Sequence, residues 1–267
     1  MITIIFTVIA LICSAAVFFS NYPLTVRREN LGGTVRAVHV SDLHKRRFGR
    51  DNSRLIAAIK AEKPDFIVIS GDAVTRDETD FSCIKSTLDA LCRIAPVFMC
   101  SGNHEQSLPQ EYRGKFYETV AETQVKMLRN TSAEIVLNGR KLRIFGLEED
   151  YGVYKKGESY RNLDVLTADV ITELLGEIPD DGEVLLMAHN PFFGEAYSQW
   201  GASYTFSGHV HGGAVRLFGI GILSPERKLF PKCSKGVYFY GGMKLLVSAG
   251  LGKIRLFNPP EIVVYEI

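Results

Sequence analysis

The sequence predicts an α/β fold: two mixed sheets packed face to face with helices outside, in one domain, preceded by an N-terminal transmembrane helix. Three observations carry this expectation. Short β-branched runs alternate with helix-like segments over residues 34–126, which argues for βαβ units and parallel strands. Strand-like pairs around Asn138-Gly139 and Gly241-Gly242 add hairpins, so the sheets are mixed and helices must cover their outer faces. The first 20 residues carry no charge.

That first stretch, "MITIIFTVIALICSAAVFFS", is long enough to span a bilayer core as a helix. No Lys or Arg precedes it and "FFSNYP" is a poor cleavage site, so it reads as an uncleaved anchor over residues 1–20. Residues 21–33 then read as a juxtamembrane linker, and residues 34–267 as the folded domain. Arg27 and Arg28 flank the C-terminal side of the anchor and no basic residue flanks the other, which favours a cytoplasmic domain.

From residue 34 the elements follow in order. "TVRAVHV" is a strand, and "DNSRLIAAIKAEK" a helix with Leu55, Ile56 and Ile59 on one face and Asp51 or Ser53 at its N-cap. "DFIVIS" is a continuous apolar run, as expected of a strand buried on both faces. Residues 79–93 are helix-like, "PVFMC" is a strand, and residues 110–126 are helix-like again. Residues 133–147 and 237–250 are the two hairpins, and "EIVVYEI" is a closing strand.

Hydrophobic residues make up 46% and charged residues 23%, enough for a sizeable core. A net charge of +1 and the lack of a basic stripe point to no stable nucleic-acid partner. The five cysteines form no CxxC pair and no disulfide framework, which suits a reducing compartment.

The chemistry lies just beyond the strands. "SDLH" supplies Asp42 and His44, "GD" supplies Asp72, and "GNHE" supplies Asn103 and His104. His189 ends "EVLLMAH", and "SGHVHGG" supplies His209 and His211. In open α/β sheets, groups at the carboxyl ends of strands converge on one crevice. Five of the six histidines sit there; His39, inside the first strand, reads as structural. Imidazole, carboxylate and amide oxygen together suit Mn, Fe or Zn better than Ca or Mg. Seven donors exceed what one tetrahedral ion needs, so two ions with a bridging carboxylate are expected. Such a pair can clamp a phosphoryl group and acidify the attacking water, which suits an anionic phosphate ester.

The ordered set "SDLH", "GD", "GNHE", "AHNP" and "GHVH" resembles the calcineurin-like metallophosphoesterases from about residue 36 to the C-terminus. "SDLH…FG", "GHVHGG", "LFPK" and "FNPPEIV" resemble a membrane-anchored bacterial branch that includes UDP-diacylglucosamine pyrophosphatase-like enzymes and other phosphodiesterases. The resemblance implies a four-layer α/β/β/α sandwich. It implies Asp42, His44, Asp72 and His211 as ligands of one metal and Asp72, Asn103, His189 and His209 as ligands of a second, with Mn favoured. It implies His104 as the non-ligand histidine that contacts phosphate and protonates the leaving group. Asn190 replaces an Arg frequent in that branch, and Ala214-Val215 a Gln-Phe, so substrate contacts there are expected to differ.

The expected function is hydrolysis of a phosphodiester or pyrophosphate, of a lipid-linked or nucleotide-sugar substrate. The alternatives are a metal-dependent nuclease, a broad phosphomonoesterase, or a non-catalytic membrane-anchored metal-binding scaffold. The basic run "HKRRFGR" (44–50) reads either as a solvated helix entry or as a contact for substrate phosphate or anionic headgroups. The glycines at 207–213 are expected to bring the backbone close to both ions, with Gly212 and Gly213 leaving room for the phosphate.

Overall fold

A computed structural model describes residues 2–179, 181–224, 229–253 and 255–267; within residues 2–13 it describes only the side chains of Thr7 and Leu11. The strands in chain order are β1 (Thr25–Asn30), β2 (Arg36–Val40), β3 (Phe66–Ser70), β4 (Val97–Cys100), β5 (Lys126–Met127), β6 (Thr131–Leu137), β7 (Arg140–Leu147), β8 (Glu183–Ala188), β9 (Tyr204–Ser207), β10 (Arg216–Leu217), β11 (Ile220–Gly221), β12 (Gly236–Tyr240), β13 (Met243–Val247) and β14 (Glu261–Glu266). The α-helices are α1 (Ile2–Asn21), α2 (Ser53–Ala61), α3 (Ser82–Cys92), α4 (Asn103–Gln106), α5 (Gln110–Ala121), α6 (Ala168–Leu175) and α7 (Gly194–Trp200).

Two six-stranded mixed sheets result. One runs β1-β14-β2-β3-β4-β5, the other β12-β13-β9-β8-β7-β6, and β10-β11 is a separate ribbon. The parallel runs β2-β3-β4 and β7-β8-β9-β13 form the centre of each sheet. Both expected hairpins are present: β6 pairs with β7 across Asn138-Gly139, and β12 with β13 across Gly241-Gly242. Asn138 and Gly139 both have positive φ, as a two-residue type I′ turn requires.

Three apolar clusters separate four layers. Phe66, Val68 and Phe98 of the first sheet meet Ile144, Met187 and Phe206 of the second. The outer face of the first sheet packs on Leu55, Ile59, Leu88 and Phe116 of α2, α3 and α5. The outer face of the second packs on Ile171, Tyr197 and Trp200 of α6 and α7. His39 lies between the sheets as a structural residue, its Nε2 2.7 Å from Ser70 Oγ and its ring against Phe206 and Tyr265. The α2 cap differs from expectation: it is Asn52, in the left-handed region, whose Oδ1 accepts from Phe48 N instead of capping.

The N-terminal division needs correction. Residues 25–30 are a strand, not a linker: β1 runs parallel to β14 at the edge of the first sheet. Buried Glu261 explains why, since it pairs with Arg27 on β1 at 3.3 Å and with Lys235 at 2.6 Å. The end of α1 also rests on the domain, with Ser20 Oγ accepting from Phe257 N and Asn21 Nδ2 donating to the Arg255 carbonyl. Residues 2–21 are helical as expected, but among the described residues no helix is long and apolar enough to cross a membrane. Met1 and most side chains of the expected anchor lie outside the described residues.

Candidate metal centre

The parallel strands end on the same side, and their following turns close over one another. Asp42 and His44 follow β2, Asp72 follows β3, and Asn103 and His104 follow β4 in the first sheet. His189 follows β8, and His209 and His211 follow β9 in the second. Asp42, His44, Asp72, His209 and His211 all have φ between 51° and 67°. Non-glycine residues there cost on the order of 1–3 kcal/mol each and persist only where the surroundings hold them, as at functional sites.

Donor atoms meet in three groups, each within 4.8 Å: Asp42–His44–His211, Asp42–Asp72–His189 and His44–Asp72–His104. His189 Nδ1 donates to the Ser70 carbonyl at 2.7 Å, which turns Nε2 toward Asp72 Oδ2 at 3.2 Å and Asp42 Oδ1 at 3.9 Å. His211 Nε2 lies 3.4 Å from Asp42 Oδ1, and His44 and His104 each place Nε2 3.9 Å from Asp72 Oδ2. The His209 ring lies 5.2 Å from that of His189, and its backbone N–H donates to Asp42. Asn103 is buried at the start of α4, beside the Gly102 backbone that packs on Asp72.

This donor set fits divalent ions. Asn103 Oδ1 is buried without a hydrogen-bond partner, beside two buried carboxylates. Unmet buried acceptors of this kind are costly unless something occupies them. Burial opposes charge on His189, but the carboxylates of Asp72 and Asp42 outweigh it and raise its pKa to about 10. Burial dominates at His104 and His211, lowering them to about 4 and about 3.

Residues outside the motifs hold the donors in place. Glu105, fully buried, accepts from the backbone N–H groups of Asp72, Gly102 and Val74, tying the β3 turn to the β4 turn. Glu149 accepts from Asn190 N, Tyr154 Oη and Tyr197 Oη behind His189. Asn258 Nδ2 donates to the His211 and Gly213 carbonyls. Glu105 and Asn258 lie within the quoted "GNHE" and "FNPPEIV"; Glu149 and Tyr154 carried no signal.

Positions singled out from sequence have packing roles. At one departure from the branch pattern, Asn190 is buried and its Oδ1 accepts from Phe192 N, so it shapes the turn after His189. The missing side chains of Gly212 and Gly213 face protein: a Cβ on Gly212 would lie 2.6 Å from Asn258 Nδ2, and one on Gly213 2.9 Å from Gly221 Cα. The close approach is made by Gly208, where a Cβ would collide with Ser41 Oγ and lie 2.5 Å from Asp42 Oδ2.

Openings at the surface reach the donors. A groove of about 370 Å³ crosses His44, His104 and His211 and is walled by Lys45, Arg46, Thr75, Ala214 and Lys253. Lys45 and Arg46 come from the basic run, although Lys45 also pairs with Asp77. A second opening is lined by Arg76, Tyr151, Tyr154, Lys155 and Tyr160, none singled out from sequence. Arg76 N donates to His104 Nδ1 at 3.2 Å, and its Nη2 lies 3.0 Å from Nε2. A neutral ring has one acceptor, so His104 can satisfy only one of these two Arg76 donors at a time.

Two packed mixed sheets with this donor cluster at their strand ends define a metal-dependent phosphoesterase, a hydrolase. The calcineurin-like phosphoesterase family model matches residues 35–213, and the chain belongs to that family. It is 26% identical to phosphodiesterase YaeI of Escherichia coli, over 87% of this chain and 82% of that protein. It is 26% identical to an uncharacterized metallophosphoesterase of Aquifex aeolicus, over 91% and 89%. Among solved structures, the TT1561 protein of Thermus thermophilus shares the fold at a TM-score of 0.50 and 9% identity, over 82% of this chain and 90% of that one.

Proposed function

We propose that the chain hydrolyses a phosphodiester or pyrophosphate near a lipid surface, using two divalent ions, with manganese the favoured metal. The convergence of donors from both sheets on Asp72 carries this reading. Asp42, His44, Asp72 and His211 would hold one ion, and Asp72, Asn103, His189 and His209 the other. When bound, the ions supply positive charge for the phosphoryl oxygens and acidify the attacking water.

The chain's own groups do the rest. A bound phosphate anion would favour the protonated form of His104. As the phosphorus–oxygen bond breaks, the leaving oxygen would take a proton from this imidazolium and leave the neutral ring. Arg76 and Lys155 bind phosphate oxygens, and Tyr151 and Tyr160 flank the leaving group. The name phosphodiesterase borne by the E. coli relative supports the diester class.

α1 anchors the enzyme in the membrane, on the strength of its 20 uncharged residues, and the catalytic domain faces the cytoplasm. The four described free cysteines agree with a reducing compartment. Purified full-length protein with Mn²⁺ should hydrolyse phosphodiesters or nucleotide-sugar pyrophosphates faster than simple phosphomonoesters. A preference for phosphomonoesters would overturn the substrate class. Labelling cysteines in intact cells with an impermeant reagent tests the side: protection is expected, and labelling would place the domain outside.

A further inference from the structure

The ribbon β10–β11 turns at Phe218-Gly219, whose φ values are 50° and 81°. The first position of such a turn favours Asn, Asp or Gly. Here it is a phenylalanine, strained in the left-handed region and wholly exposed. Leu217, Ile220, Leu229, Phe230 and Phe257 expose between 40% and 68% of their surface.

Scattered exposed apolar residues are ordinary, but a contiguous group marks an interaction surface. Backbone pairing sets the segments that carry these residues side by side. Leu217 pairs with Ile220, Phe230 N donates to the Ile222 carbonyl, and Arg216 N donates to the Leu256 carbonyl beside Phe257.

We propose that this ribbon is a membrane-docking element that seats the mouth of the site on an anionic lipid surface. The proposal rests on the membrane reading above and adds a second contact, distinct from α1. Two observations favour lipid as the occupant. The patch begins where the uncharged helix ends, since Phe257 N donates to Ser20 Oγ. Exposed Lys232 follows Phe230 closely in the chain and exposed Lys253 walls the adjoining groove, and cations beside an apolar surface complement anionic headgroups. Docking would also place the site. Arg216 Nη2 donates to the Gly219 carbonyl at the turn (2.6 Å), and Nη1 to the Gly212 carbonyl beside His211 (3.0 Å). The ribbon and the His211 turn therefore move as one piece, and the groove over His44, His104 and His211 opens at headgroup level.

The test places tryptophan at the tip, Phe218→Trp, in the full chain reconstituted with phosphatidylglycerol-containing vesicles. The single native Trp200 is buried and provides the background. Val136→Trp, on the exposed edge strand β6, is the control. The expected result is blue-shifted emission from the tip variant that brominated lipid quenches, with neither change in the control. Flotation of the chain with vesicles, with the introduced indole at the tip still in water, would overturn the ribbon's role and leave the anchor standing. Failure to float would overturn both. A blue shift without lipid quenching would assign the ribbon to a protein partner or a second copy and overturn the proposal.

Discussion

Asp72 Oδ2 lies 3.2 Å from His189 Nε2, the one residue following β3 and the other β8, so the pair closes the gap between the two sheets. Ligands that meet only when the sheets pack exist as a site only in the folded chain, and an ion bound there adds to folding stability. Manganese at about 100-fold its dissociation constant should raise stability by about 2.7 kcal/mol, and chelator should remove the gain. Asp72→Ala should abolish the dependence in a thermal melt. Equal stabilisation of the variant would place the ion elsewhere.

His104 is expected to act on the leaving group. His104→Ala should keep its metal and slow turnover by roughly 10²–10⁴-fold, the usual cost of losing a general acid. A nitrophenyl ester needs no proton on departure and should lose less. The check is the ratio of kcat values on good and poor leaving groups; equal losses would remove the role.

Gly208 and Gly114 make opposite predictions from the same change. Alanine at 208 would press on Ser41 and Asp42, displacing a ligand, so metal affinity and activity should both fall. Gly114 lies in α5 with open space around it, and Gly114→Ala should stabilise by about 0.5–1 kcal/mol without touching activity. Metal titration and denaturant unfolding of both variants check the pair.

Burial lowers the His39 pKa to about 3, from an ordinary 6.5. Between those values the unfolded chain binds a proton that the folded chain does not. This contribution to stability is therefore full above pH 6.5 and is lost as pH falls toward 3, with a slope of up to about 1.4 kcal/mol per pH unit. Phenylalanine should pack in the same place between Phe206 and Tyr265. Unfolding free energies of His39→Phe should show a shallower fall than the parent from about pH 6.5 to about pH 4; parallel curves would contradict the assignment.

The parallel strands and the metal donors were legible in the sequence because each depends on local pattern. "DFIVIS" and "PVFMC" are apolar throughout since both faces are covered, and each strand is followed at once by its donor. β1 was not legible. Its residues "TVRREN" are polar and become a strand only because Glu261, far along the chain, receives Arg27. The roles of Gly212 and Gly213 were hidden for the same reason, since Asn258 and Gly221 reach them only after folding. Arg76 and Tyr154 lack any motif, and only the closing of turns over the donors makes them neighbours of His104 and His209.

The central claim is a pair of ions sharing Asp72. Elemental analysis of fully active protein, alongside Asp72→Ala, tests it most directly. Two divalent transition ions per active chain are expected, with activity lost in the variant along with its metal. One ion or none per chain in fully active protein, or an active Asp72→Ala variant, would contradict the account.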